Sequence, residues 1–307
     1  MTTLPTLAAA QDRWQHAFYS FLAEKHRRSG SLRTPAAYSS QLQHFFGRTG
    51  KTPDQVTSQD VFGWAYSKGS TGRAPGSVTV GARIACVSSF FRFLIRMSLV
   101  PANPCDMLER PKAVQSVPRG LAPDDVKRLL AVIPDSRAGV RDRAIILVLV
   151  LTGRRRAEVL GLKAGDIEVS GPQVFYRYRG KGGKAGRREL PRPAFEAIER
   201  ALAAWGKTLA GMGPDEPLWP SKGGKGLTTG SFYGRFQRHL TDAGLPRTGP
   251  HSLRHSAAKL RRDAGETVED VSRFLDHSSL AVTSVYLRRL EGVEDRTWGA
   301  VAAAIGV

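Results

Sequence analysis

One stretch limits what this chain can fold into more than any other. From Arg110 to Gly120 the sequence reads RPKAVQSVPRG: basic, interrupted by Pro111 and Pro118, and without a hydrophobic period. Proline removes a backbone donor and restricts the residue before it, so such a run neither continues a helix nor joins a sheet ladder. It reads as a linker, which obliges the residues on either side to bury separate cores. With 307 residues, the chain has room for two ordinary domains. The expected boundaries are 8–111 and 119–307.

The part before the linker carries helical spacing throughout. Trp14, Phe18, Phe21 and Leu22 share one face, as do Tyr38, Leu42, Phe45 and Phe46. A further helix over 56–66 opens at Thr57-Ser58, and Lys68 to Gly76 reads as a loop. A longer helix carries Val80, Ile84, Val87, Phe90, Phe91 and Leu94. The part after the linker mixes the two periods. Pro123 followed by Asp124-Asp125 starts a helix, and Ala144 to Leu151 is apolar on every side, hence a buried helix. Strands are expected at 167–169, 174–178 and 187–190, with the glycine-rich turn GKGGKAG between the last two. Helices follow over 193–205, 229–243, 252–264, 268–275, 281–290 and 293–305.

Charge narrows the partners. Lys and Arg number 46 against 27 Asp and Glu, a formal net charge of +19. Such a surplus repels itself, and nucleic acid is its commonest counterpart, because neutralising phosphates releases counterions. Apolar residues make up 41%, enough for packed cores rather than a disordered basic tail. No long uninterrupted apolar span stands out, and Ala144 to Leu151 is too short for a bilayer. The start MTTLPTLAAAQDRW lacks a signal-peptide pattern. Cys86 and Cys105 form no CxxC and suggest no disulfide framework. The expectation is a cytoplasmic protein with no membrane partner.

Three segments concentrate cations and one nucleophile: Thr152-Gly-Arg-Arg-Arg-Ala-Glu158, Lys181 on the glycine turn, and the run from His251-Ser-Leu-Arg-His255 through Asp276-His277 to Tyr286. Phosphodiester exchange without a metal needs a nucleophile, fixed positive charge on the nonbridging oxygens, and a proton donor for the leaving oxygen. Arginine suits the second role, since its planar fork binds phosphate bidentately. Lysine on a turn suits the third, and a phenol serves as nucleophile where cations lower its pKa.

These segments resemble those of the tyrosine recombinase (phage integrase, Xer-like) family. TGRRRAEVLGLKAGDIE is similar to the family's first arginine box, HSLRH to its H-x-x-R box, and FLDHSSLAVTSVYLR to the stretch LLGHS…Y. The resemblance implies a mainly α fold: an N-terminal helical core-binding (SAM-like) bundle, and a mostly helical catalytic domain with a small antiparallel β-sheet, together a C-shaped clamp. Carried over by position, Arg155 and Arg254 grip the scissile phosphate, and Glu158 supports the arginine. Lys181 protonates the departing 5′ oxygen, His251 assists proton transfer at the tyrosine, and His277 bonds the phosphate. Tyr286 forms the 3′-phosphotyrosine bond. The implied partners are duplex DNA with a specific recombination site, a homo-tetramer on synapsed DNA, and a second recombinase or accessory DNA-bending proteins. No cofactor or metal is expected.

Two positions depart from the family pattern. Arg154 stands where a leucine is frequent, and Asp276 replaces the glycine before the active-site histidine, where a left-handed backbone is tolerated less well. That aspartate sets a carboxylate beside a phosphate site, with altered geometry or rate as the expectation. Arg154 and Arg156 read as DNA-backbone or surface groups.

Blander readings stand beside these. Tyr286 alone is a packed helix tyrosine, and His251 with His255 has the i, i+4 spacing of a zinc pair but lacks a third ligand. Gly180 to Ala185 fits G-x-G-x-x-A but lies between strands. Gly50-Lys-Thr52 and Gly206-Lys-Thr208 lack the upstream glycine of a P-loop, with Phe45 and Ala201 in its place. SKGGKG, 221–226, reads as a mobile basic loop. Type IB topoisomerase-like relaxation, or a DNA-binding protein of this fold without activity, remain alternatives. Target site and biological task are open.

Overall fold

The computed structural model describes residues 7–69, 72–112, 120–180 and 185–276. The chain divides into two compact units, Met1–Ser116 and Val117–Val307.

The first unit is helical: α1 (Leu7–Ser29), α2 (Arg33–Thr49), α3 (Ser58–Ala65) and α4 (Ser77–Arg96). Thr57 starts α3 with a capping box. Its hydroxyl accepts from the Asp60 N–H at 3.3 Å while the Asp60 carboxylate accepts from the Thr57 N–H at 2.8 Å. The core is aromatic, with Phe90 edge-on to Phe18, Phe21, Phe46 and Phe91. By length and composition α4 is apolar enough to cross a bilayer, with a mean hydropathy of 1.6. No such span was expected from the sequence. The apolarity of α4 has a local cause: Val80, Ile84, Val87, Phe90, Phe91 and Leu94 are buried in the bundle. Cys86 and Cys105 are free and buried, and burial pushes both thiols up to about 12.

The second unit runs α5 (Pro123–Ala131), α6 (Arg137–Thr152), α7 (Arg156–Leu160), β1 (Ile167–Ser170), β2 (Gln173–Arg179), β3 (Ala185–Glu189), α8 (Arg192–Ala203), α9 (Thr229–Asp242), α10 (His251–Asp263) and α11 (Val268–Phe274). The mainly helical fold with a small antiparallel sheet is as expected. The buried helix is longer than its apolar run, starting at Arg137 under a Ser136 cap. It packs against α8, α9 and α10, which accounts for the burial of Ala144, Ile145, Ile146, Val148 and Leu149 on all sides. The helices expected at 281–290 and 293–305 lie outside the described residues.

The sheet has order β1-β2-β3, with Ile167 opposite Tyr176 and Tyr178 opposite Gly186. Along β2 the alternation buries Tyr176 and Tyr178 and exposes Arg177 and Arg179. The 221–226 segment forms a closed turn: Ser221 N–H donates to the Lys225 carbonyl at 3.0 Å, and Pro220 bridges Gly226.

Inside α6 the sequence places Arg141 and Asp142, both buried. The Asp142 carboxylate accepts from Arg235 Nε at 2.5 Å and from Arg141 at 3.2 Å, and lies 3.0 Å from His239 Nε2. Arg141 also donates to the Pro220 carbonyl. This network ties α6 to α9 and to the segment carrying the fully buried Trp219. Removing one partner of a buried ion pair leaves the others uncompensated, at about 3–5 kcal/mol. Asp142→Ala is therefore expected to destabilise the second unit by that amount without moving the first unit's transition, as read in urea melts of the full chain.

Candidate functional site

The site begins where α6 stops. Gly153 takes a left-handed conformation, φ +60°, and its N–H donates to the Leu149 carbonyl at 3.0 Å. Here glycine is required twice, since a Cβ would also lie 2.5 Å from the Phe274 ring. The turn delivers Arg155 in extended backbone at the start of α7. Glu158, 8% exposed, accepts from the Arg155 N–H at 3.0 Å and from Arg155 Nη1 at 2.8 Å. One carboxylate thus holds both ends of Arg155, whose side chain stays 37% exposed.

α10 presents His251 at its first position and Arg254 one turn later, on the same face. Arg254 is buried, 3% exposed. Its Nη1 donates to the Gly153 carbonyl at 2.6 Å and its Nη2 to the Leu275 carbonyl at 2.5 Å. Arg254 thus joins the arginine turn to the end of α11, directly before Asp276 and His277.

His251 lies at the surface, but the protein packed round its ring is the largest influence lowering its pKa below the ordinary 6.5. The positive charges of Arg254, Arg155 and Arg156 lower it further. A lowered value favours neutral imidazole, which accepts a proton at neutral pH. His255 packs edge-on to His251, ring centroids 4.8 Å apart. Among the described residues, no group of three or more His, Cys, Asp or Glu side chains is arranged to hold a metal.

The structure therefore brings together Arg155, Glu158, His251 and Arg254. Lys181, His277 and Tyr286 lie outside the described residues. One expectation needs correction. Arg154 is not a surface or DNA-backbone group: it is 1% exposed and donates to the Asp276 carboxylate and the Phe274 carbonyl. Asp276 adopts the left-handed backbone, φ +50°, and its carboxylate pairs with Arg154 and Arg188. Two residues the sequence reading missed, Tyr178 and Arg188, also bond Asp276.

The sequence and fold of the chain match those of known proteins. Residues 119–292 match the Phage integrase family. Tyrosine recombinase XerC of Roseiflexus castenholzii is 32% identical over 278 residues, covering 88% of this chain and 87% of that protein. Tyrosine recombinase XerD of Listeria innocua is 30% identical, covering 83% of this chain and 88% of that protein. In fold, the chain is similar to a lambda integrase(75-356) dimer bound to a COC' core site, with TM-score 0.69, 18% identity, and 95% and 99% of the two chains covered. It is also similar to the XerH site-specific recombinase in its post-cleavage complex with palindromic difH substrate, with TM-score 0.67, 20% identity, and 89% and 80% covered. The chain belongs to the phage integrase family, as a tyrosine-type site-specific recombinase.

Because cationic neighbours help lower the His251 pKa, removing one raises it. In an NMR titration of the DNA-free protein, His251 is expected to titrate below 6.5, and Arg155→Ala is expected to move the midpoint upward. An unchanged midpoint would separate Arg155 from this cluster.

Proposed function

We propose that this recombinase cuts and rejoins duplex DNA at a specific site through Tyr286, one strand pair at a time, passing through a Holliday junction. The observation that carries this reading is the seating of Arg155 and Arg254 round one turn, with His251 one helical turn before Arg254. Two guanidinium groups there suit the nonbridging oxygens of a phosphodiester, as planar forks preorganised for charge that grows in the transition state. Glu158 holds Arg155 rather than reacting.

In the proposed reaction the Tyr286 hydroxyl attacks phosphorus while His251 assists removal of its proton. The bond from phosphorus to the 5′ oxygen breaks, Lys181 protonates that oxygen, and His277 bonds the phosphate. The 3′-phosphotyrosine bond keeps the phosphoester energy, so the 5′ hydroxyl of the partner strand reseals the DNA without a nucleotide cofactor. Residues 8–111 would serve as the core-binding domain and 119–307 as the catalytic domain. Four copies would assemble on two synapsed sites in the cytoplasm, with a second recombinase or a DNA-bending protein as further partners.

The test is covalent capture. The protein is incubated with genomic DNA of its source and denatured, and DNA retained on protein is sequenced to map the cleaved site. Tyr286→Phe is expected to abolish the adduct while leaving DNA binding largely intact; persistence of the adduct in that variant would overturn the assignment. Lys181→Ala is expected to slow cleavage by about 10²–10⁴-fold, the range for a general acid, and a 5′-thio leaving group to restore much of the rate.

A further inference from the structure

The carboxylate of Asp276 is bonded from three directions. Arg154 Nη1 and the Tyr178 hydroxyl donate to Oδ2, and Arg188 Nη2 donates to Oδ1 at 2.7 Å. The same arginines also hold the backbone beside it: Arg154 donates to the Phe274 carbonyl, and Arg188 to the Arg273 carbonyl at 3.0 Å. The Arg154 guanidinium stacks 4.6 Å from the centroid of the Tyr178 ring. Space for that ring comes from Gly186 across the hairpin, where a Cβ would lie 2.4 Å from it.

These three donors come from separate parts of the unit. Arg154 adjoins Arg155 on the turn after α6. Tyr178 on β2 and Arg188 on β3 flank the hairpin whose connection contains Lys181. Asp276 directly precedes His277. We propose that Asp276 is a positioning residue: its carboxylate fastens the arginine turn, the β2–β3 hairpin and the backbone entering His277 to one another, and so sets the rate of DNA cleavage. The inference rests on the functional reading above.

The two departures from the family pattern are, on this view, one device. A buried arginine needs an acceptor, and a carboxylate on a left-handed residue needs a reason to stay. Each supplies the other's. Nor does the contact act as a pH switch. Burial pushes the Asp276 carboxyl up, but bonds from Tyr178 and Arg154, the charge of Arg154 and the bond from Arg188 outweigh it and hold the group at about 2. A depressed carboxyl contributes stability above its ordinary pKa and loses it only as pH falls through the depressed value, so Asp276 stays charged at every neutral pH.

The test compares Asp276→Gly, Arg154→Leu and the double variant Arg154→Leu/Asp276→Gly. The DNA is a duplex carrying the site mapped by covalent capture, nicked 3′ of the scissile phosphate so that the short product leaves. Asp276→Gly is expected to slow single-turnover adduct formation at least tenfold at saturating protein, with DNA affinity changed less than twofold. Arg154→Leu is expected to slow it by a similar factor, because it removes the donor that joins the carboxylate to the arginine turn. The double variant is expected to be no slower than the slower single variant, since both changes break the same contact. Wild-type cleavage by Asp276→Gly, or a double variant as slow as the product of the single effects, would overturn the proposal.

A second measurement needs no DNA. Hydrogen exchange in Asp276→Gly is expected to quicken at least tenfold at Arg187 and Arg188 on β3 as well as at Phe274 and Leu275. Loosening confined to 274–275 is what glycine alone would cause, and it would also overturn the proposal. An adduct that survives Tyr286→Phe would instead overturn the functional reading, leaving the exchange result to judge the carboxylate.

Discussion

The second unit depends on one buried guanidinium. A charge removed from water is tolerated only when its hydrogen-bonding capacity is met. Arg254 donates to the Gly153 and Leu275 carbonyls, which belong to segments far apart in sequence. The bond to Gly153 requires the turn after α6 to sit against α11, and the close approach of Phe274 and Leu275 leaves no room for a Cβ at Gly153. Once that turn is seated, Arg155 starts α7 and Glu158 reaches back to it. Arg254 thus seats the turn, and Glu158 within the box fixes Arg155 upon it.

Two aspartates in this unit show how burial divides structural from positioning roles. Asp142 is fully buried within α6, and its partners knit helices and the Trp219 segment into a single core. Asp276 sits at a junction, its side chain 31% exposed, and its partners belong to the turn and the hairpin beside the candidate catalytic residues. Both are matched by two arginines. What differs is what the arginines are attached to, which no count of ion pairs would reveal.

Most of the described helices, α7 excepted, and the three strands were legible because their periodicity is local. β1, β2 and β3 lie within a few residues of the expected runs, and α10 begins one residue earlier than its pattern suggests. The arginine box and the H-x-x-R box were legible as ordered motifs. The Asp276 contacts were not, because they join residues about a hundred positions apart, and Arg154 resembled its half-buried neighbours Arg155 and Arg156 when read as part of a run. Gly186, read as part of the glycine turn, instead lies on β3, where its missing Cβ admits the Tyr178 ring. Arg141 and Asp142 fell outside the apolar run that marked α6 in the sequence.

The pairing of Arg154 with Asp276 also bears on how this chain exchanges parts with its relatives. Segments joined only by apolar packing can be traded piecemeal, since hydrophobic cores accept substitutes of similar volume. Segments joined through Arg154 and Asp276 cannot, because without the carboxylate the guanidinium stays buried with its charge unmatched. A chimera that takes position 154 from this chain and position 276 from a parent without the carboxylate therefore strands that charge, whereas one that keeps 154–276 together does not.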